Sequence, residues 1–158
     1  VTANEIYNSL LNDIANAVEV FTCIKEYKPD LTRKAADGLT HAESVERSLQ
    51  GDVGIFGSKL HLLKELIRDH CGIELPGTNS KQDLIDYLHS FQQNKDAIIT
   101  GFETIIGHPE KAYQWGFNDF TTYESMLLDR VKYIKQESEY IRLQFEKLIQ
   151  LIDSDMTY

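Results

Sequence analysis

Histidine and carboxylate pairs at helical spacing are the residues of this chain best suited to hold a metal. His61 and Glu65 lie four apart and Asp86 and His89 three apart, so each pair projects from one side of a helix. Bundles of helices build metal sites from such pairs on facing helices. If the two segments form a hairpin about Pro76, the four side chains fall at similar depth. Helical phase argues the other way. Phe56, Leu60, Leu63 and Ile67 set the apolar face of their segment, and His61 and Glu65 point away from it. The paired Glu-x-x-His motifs of di-iron bundles are missing as well. A solvated polar face is therefore the leading reading of His61, Glu65, Asp86 and His89. A ferritin-like metal protein is the alternative, and no cofactor is expected.

The remaining histidines point to less. His70 stands near a helix C-terminus, where a positive charge is favoured, and His41 and His108 have no recognisable partner in sequence. No nucleophile elbow, phosphate loop, dinucleotide fingerprint or H-E-x-x-H motif occurs, so no catalytic residue is assigned. Cys23 and Cys71 form no C-x-x-C pair and are expected as free thiols. The stretch Ala36-Asp37-Gly38-Leu39-Thr40-His41-Ala42-Glu43 resembles the Ala-Asp-Gly opening of a helix in tellurite-resistance domains, and also half of a calcium loop. The resemblance covers eight residues and lacks the further acidic ligands of a calcium site.

Aromatic placement is more informative. Met126, Tyr133 and Tyr140 repeat every seven residues along the last helical segment, beside its main apolar seam. A helix with two apolar stripes touches more than one neighbour, and the leading reading is packing within the chain, against the Tyr113/Trp115/Phe117 segment or the first helix, ahead of a partner or a second copy. Tyr113, Trp115 and Phe117 sit in a short stretch after Pro109, expected as a helical turn or two that plugs the bundle.

The elements that must position these residues are legible in the apolar periodicity. Thr2-Ala3-Asn4-Glu5 reads as a capping box, and Ala3, Tyr7, Leu10, Ile14, Ala17, Phe21 and Ile24 follow on one face until Lys28-Pro29-Asp30. A second stripe runs from Leu31 to Leu49 and resumes at Val53 in nearly the same phase, across Gly51 and Gly54. Two glycines weaken a helix by about 1 kcal/mol each, and one unbroken helix from residue 31 would be about 60 Å long. Two helices, 31–50 and 54–71, are expected, with one kinked helix as the alternative.

Cys71-Gly72 supplies a stop. Ser80 caps a helix carrying Leu84, Leu88, Phe91, Ile98, Phe102 and Ile105, with Lys95 breaking the stripe, down to Gly107-His108-Pro109. From about Thr121 to Ile152 the seam Leu127, Val131, Ile134, Ser138, Ile141, Phe145, Leu148 and Ile152 steps by four and three, a heptad pattern. The fold class predicted is all-α: one domain, an antiparallel bundle of four to five long helices plus one short helical segment.

Composition bounds the function. The 158 residues are 42% hydrophobic with a formal net charge of −9, which repels nucleic acid and anionic membrane surfaces. No run of 18 apolar residues exists to span a bilayer, and no signal-peptide pattern opens the chain, so the cytoplasm is the default. The leading functional expectation is a non-catalytic module working through protein contact, as regulator, adaptor or inhibitor, with a hetero-partner or a homodimer. A sensor or carrier holding an apolar small molecule against Tyr113, Trp115 and Phe117 is the first alternative.

Overall fold

Thr2 opens the first helix by accepting a 3.1 Å hydrogen bond from the Glu5 backbone N–H to its hydroxyl, and α1 then runs over Ala3–Cys23. The structure, a computed structural model, describes residues 2–23, 41–107, 111–113 and 120–155. Within them follow α2 (His41–Cys71), α3 (Lys81–Gln93), α4 (Lys95–Ile106), the short strands β1 (Lys111–Tyr113) and β2 (Phe120–Thr122), and α5 (Tyr123–Asp155). The fold is the all-α helical bundle that the periodicity predicts. Tyr7, Leu10, Ile14, Ala17 and Phe21 of the α1 stripe are buried, as are Leu127, Ile134, Ser138, Ile141 and Leu148 of the α5 seam.

The second segment departs from expectation, because α2 is one continuous helix through Gly51 and Gly54. Residues 31–40 lie outside the described residues; over its described span, His41–Cys71, α2 has 31 residues and is about 46 Å long. It does not overshoot, since α5 is slightly longer still and packs along it. Burial of Val45, Leu49, Phe56, Leu60, Leu63 and Ile67 on one face outweighs the glycine penalty, as tertiary packing commonly does. The helix stops where predicted, at Gly72 with φ +68°, a left-handed conformation that glycine adopts without a Cβ clash.

The third segment divides at Asn94. Its side-chain N–H donates to the Ser90 carbonyl at 2.8 Å, the local competition with the backbone that makes asparagine a poor helix interior. The apolar face nevertheless carries across the break, with Leu84, Phe91, Ile98, Phe102 and Ile105 all buried. Ser80 caps α3 as expected, its hydroxyl accepting from the Asp83 N–H at 3.1 Å. Lys95 is exposed, and its ammonium reaches the rim of the core 5.9 Å from the Tyr7 ring centre.

The stretch after Pro109 is corrected too. Lys111–Tyr113 is extended and pairs antiparallel with Phe120–Thr122, Lys111 opposite Thr122, where a helical turn was expected. One strand carries Tyr113 and the other Phe120 and two threonines, residue types that suit a pleated pair. The last helix consequently begins at Tyr123, with the Thr122 hydroxyl accepting from the Ser125 N–H at 3.1 Å. Trp115 and Phe117 lie outside the described residues.

Side-chain contacts give the helix directions. Tyr7 donates to the Phe91 carbonyl and Lys81 to the Phe21 carbonyl, so α1 and α3 are antiparallel. Lys59 meets Tyr133 and His70 meets Tyr123, so α2 and α5 are antiparallel as well. Tyr87 donates to the Leu60 carbonyl and Cys71 to the Ile98 carbonyl, which makes α2 run parallel to α3 and α4. The hairpin about Pro76 therefore does not form. Residues 72–80 instead lead the chain back along α2, with Thr78 buried against Gly57. By the same chain of directions, α1 and α5 run the same way.

Candidate functional site

The α2/α5 edge carries the features best suited to a function. On α5, Tyr133 and Tyr140 are 47% and 45% exposed, and on α2, Ile55 and Leu62 are 49% and 40% exposed. The Lys59 ammonium lies 5.2 Å from the Tyr133 ring centre, a cation–π contact that ties the two helices at this level. Ile55 and Leu62 stand one turn before and one turn after Lys59 on the same side of α2. Because the helices are antiparallel, Ile55 falls between the levels of Tyr133 and Tyr140. Four large apolar side chains thus line one edge. Met126, the third member of the predicted stripe, is half-buried at the end of the first turn of α5.

Of the predicted interaction residues, Tyr133 and Tyr140 take part in this edge. Tyr113 is in β1, away from the stripe in sequence, and Trp115 and Phe117 lie outside the described residues. Ile55 and Leu62 escaped the sequence reading although a signal existed. They are seven apart and out of phase with Phe56, Leu60, Leu63 and Ile67, so they mark a second stripe on α2 just as Tyr133 and Tyr140 do on α5. Behind Leu62 the outer face of α2 meets Thr78 and Asn79 in an open groove of about 500 Å³, lined also by Gly54, Ser58 and His61.

The histidine and carboxylate pairs are not brought together. His61 and Glu65 form an exposed pair 3.0 Å apart on α2, Asp86 accepts from Gln82 at 3.0 Å, and His89 is exposed. Among the described residues, no three histidine, cysteine or acidic side chains converge on one point. His70 packs edge-on against Tyr123, ring centres 4.4 Å apart, at the helix end expected for it. Of the stretch resembling tellurite-resistance domains, residues 36–40 lie outside the described residues and His41 to Glu43 open α2. Cys23 and Cys71 are unpaired, and burial pushes the Cys71 thiol up to about 11, which leaves it protonated and unreactive at neutral pH.

Two acids, Asp13 and Asp52, are buried at 7% and 4% exposure, and neither was singled out by sequence. Each follows an apolar core residue by three positions and precedes another by four, Leu10 and Ala17 for Asp13, Leu49 and Phe56 for Asp52. That phase is the signal for burial. The Oδ2 atom of each has no hydrogen-bond partner among the described residues. Burial raises the Asp52 carboxyl above its ordinary 3.8, and the charge of Glu137 raises it further. Burial raises Asp13 also, Glu139 adding to the shift and Lys135 opposing it.

A raised carboxyl means that the folded state holds its proton more tightly than the unfolded chain does. Its contribution to stability is complete below pH 3.8 and is lost as pH rises through the folded value. Asp52→Asn, which removes the charge, therefore stabilises at pH 7 by about 1 kcal/mol and changes little below about pH 4. Thermal unfolding at the two pH values measures this, and equal effects at both contradict it.

No helix among the described residues is long and apolar enough to cross a membrane. Comparison with protein-family models, with curated proteins and with solved structures finds no match.

Proposed function

We propose that this chain is a non-catalytic interaction module that receives an amphipathic helix of a protein partner on its α2/α5 edge. The observation that carries the reading is the exposure of Ile55, Leu62, Tyr133 and Tyr140 on two antiparallel helices joined at this level by Lys59 and Tyr133. Isolated exposed apolar residues are ordinary, but clustered aliphatic and aromatic ones mark contact surfaces, and tyrosine is enriched at the energetic centres of interfaces. A shallow edge between two long helices suits a third helix bearing apolar anchors at i, i+3, i+4 and i+7.

Charge selects the kind of partner. At −9 per chain, two copies repel one another, whereas a helix with basic flanks is attracted and steered to the surface. A basic partner is therefore favoured over a second copy. The unpaired thiols Cys23 and Cys71 fit a reducing compartment such as the cytoplasm.

Titration with a synthetic amphipathic peptide of leucines and lysines at heptad spacing tests the reading. Tyr133→Ser combined with Tyr140→Ser is expected to weaken binding about ten-fold or more, while loss of the Lys59–Tyr133 contact and of the buried half of each ring lowers the melting temperature by only a few degrees. Undiminished affinity in the double variant rejects this surface. Dimers that persist at low concentration in sedimentation, and that the same double variant dissolves, replace the basic partner with a second copy.

A further inference from the structure

A second site lies on the opposite flank of α5, where that helix meets α1. Ser9, Asn12, Asp13 and Asn16 of α1 face Lys135, Ser138, Glu139 and Arg142 of α5 across a cleft of about 150 Å³. Each set follows the spacing i, i+3, i+4, i+7, one side of a helix, and neither includes an apolar residue. Leu10, Ile14 and Ala17 of α1 and Ile134 and Ile141 of α5 are buried beside these residues in sequence, so a polar strip adjoins the apolar face of each helix. Ser138 fixes the floor by donating a 2.7 Å hydrogen bond to the Asp13 carbonyl.

Asp13 is the residue that needs a partner. It is more than nine-tenths buried, it lines the cleft, and its Oδ2 accepts no hydrogen bond among the described residues. Burying a carboxyl oxygen without a donor is costly, and such an atom in a native protein calls for an explanation, a bound donor among them. The surrounding charges define what fits. Asp13 and Glu139 attract an ammonium group. Since α1 and α5 are parallel, Lys135 lies toward the Ser9 end of the cleft and Arg142 toward the Asn16 end. The guanidinium of Arg142 can grip a carboxylate with two parallel hydrogen bonds. The two acids and two bases cancel, so a ligand without net charge enters a lining without net charge.

We propose that the α1/α5 cleft binds a small amino-acid zwitterion, its ammonium donating to Asp13 and Glu139 and its carboxylate held by Arg142. The volume suits a small amino acid. Asn12 and Asn16 supply further donors and acceptors to either end of the ligand. The site is independent of the α2/α5 edge, and neither proposal stands or falls with the other.

Amide NMR and calorimetry on the whole chain at neutral pH, titrated with L-alanine, ethylamine, acetate and trimethylglycine up to about 10 mM, test the proposal. Alanine is expected to saturate and to shift the amides around Asp13 and Ser138. Ethylamine and acetate, each with one charged group, bind at least about ten-fold more weakly. Trimethylglycine has both charges but no N–H to donate, and it is expected not to bind. Asp13→Asn and, separately, the rim substitution Arg142→Gln each weaken alanine about ten-fold or more. Arg142 is exposed, so its variant reports on binding even if the Asp13 variant fails to fold. Absence of saturable alanine binding overturns the proposal. Equal affinity for ethylamine reduces the site to a cation site and overturns it too, as does full affinity in Arg142→Gln.

Discussion

Replacing Gly57 by alanine is expected to destabilise the protein by about 3 kcal/mol or more, although the change adds a single methyl group to a helix. The cause is backbone rather than side chain. Residues 72–80 run back along α2, and at Gly57 the added Cβ would collide with the Thr78 carbonyl oxygen and stand 3.3 Å from its carbonyl carbon. A backbone cannot swing aside as a flexible side chain can. Thr78 is buried, and relief requires the whole returning link to lift from the helix. Gly51 and Gly54 provide the internal control. A Cβ at either position meets nothing within 4 Å, so alanine there is expected to stabilise by up to about 1 kcal/mol through helix propensity alone. Urea unfolding of the three single variants measures the contrast. A Gly57→Ala protein as stable as Gly54→Ala contradicts the path described for the link.

Phe91→Ala is expected to have a comparable or larger effect, a loss of about 3–5 kcal/mol. Phe91 is fully buried, and its ring lies stacked on that of Tyr7, centres 4.7 Å apart and planes within 7°. The same two residues are joined by a 2.9 Å hydrogen bond from the Tyr7 hydroxyl to the Phe91 carbonyl. Truncation leaves a cavity at the α1/α3 contact and removes the ring partner, while the hydrogen bond to the backbone survives. Tyr7→Phe, which deletes that bond and keeps the ring, should cost only about 1 kcal/mol. Unfolding free energies in which the two variants are equal would show that the stacked pair does not anchor α1 on α3.

What the sequence discloses and what it hides follow a physical division. The α1 stripe and the α5 seam were legible because each helix buries one continuous face, and the caps at Thr2 and Ser80 were legible because their chemistry is local. The continuity of α2 was not, since Gly51 and Gly54 lower local propensity while the packing of Leu49, Phe56 and Leu60 that overrides them is tertiary. The break at Asn94 was hidden for the converse reason, an apolar face that carries straight across a change in backbone. Helix direction was hidden as well. A nine-residue link at Pro76 is compatible with a hairpin, and its return along α2 shows only in tertiary contacts, the Tyr87 and Cys71 hydrogen bonds and the close approach at Gly57.

The site divides in the same way. Tyr133 and Tyr140 could be read as a second stripe, yet whether that stripe faces a neighbour or solvent depends on where α2 lies. Ile55 and Leu62 acquire meaning only when they are seen beside those tyrosines. The apolar phase of Asp13 and Asp52 marks them for burial, whereas the lack of a hydrogen-bond partner for either Oδ2 shows only once the neighbouring helices are in place.

Amide chemical-shift mapping with the basic amphipathic peptide tests the α2/α5 proposal most directly. The account predicts that the perturbed amides cluster on residues 55–62 of α2 and 133–140 of α5, with the polar face of α3 around Asp86 and His89 unmoved. Shifts that spread over every acidic surface alike, or that leave both of those segments untouched at saturation, contradict it.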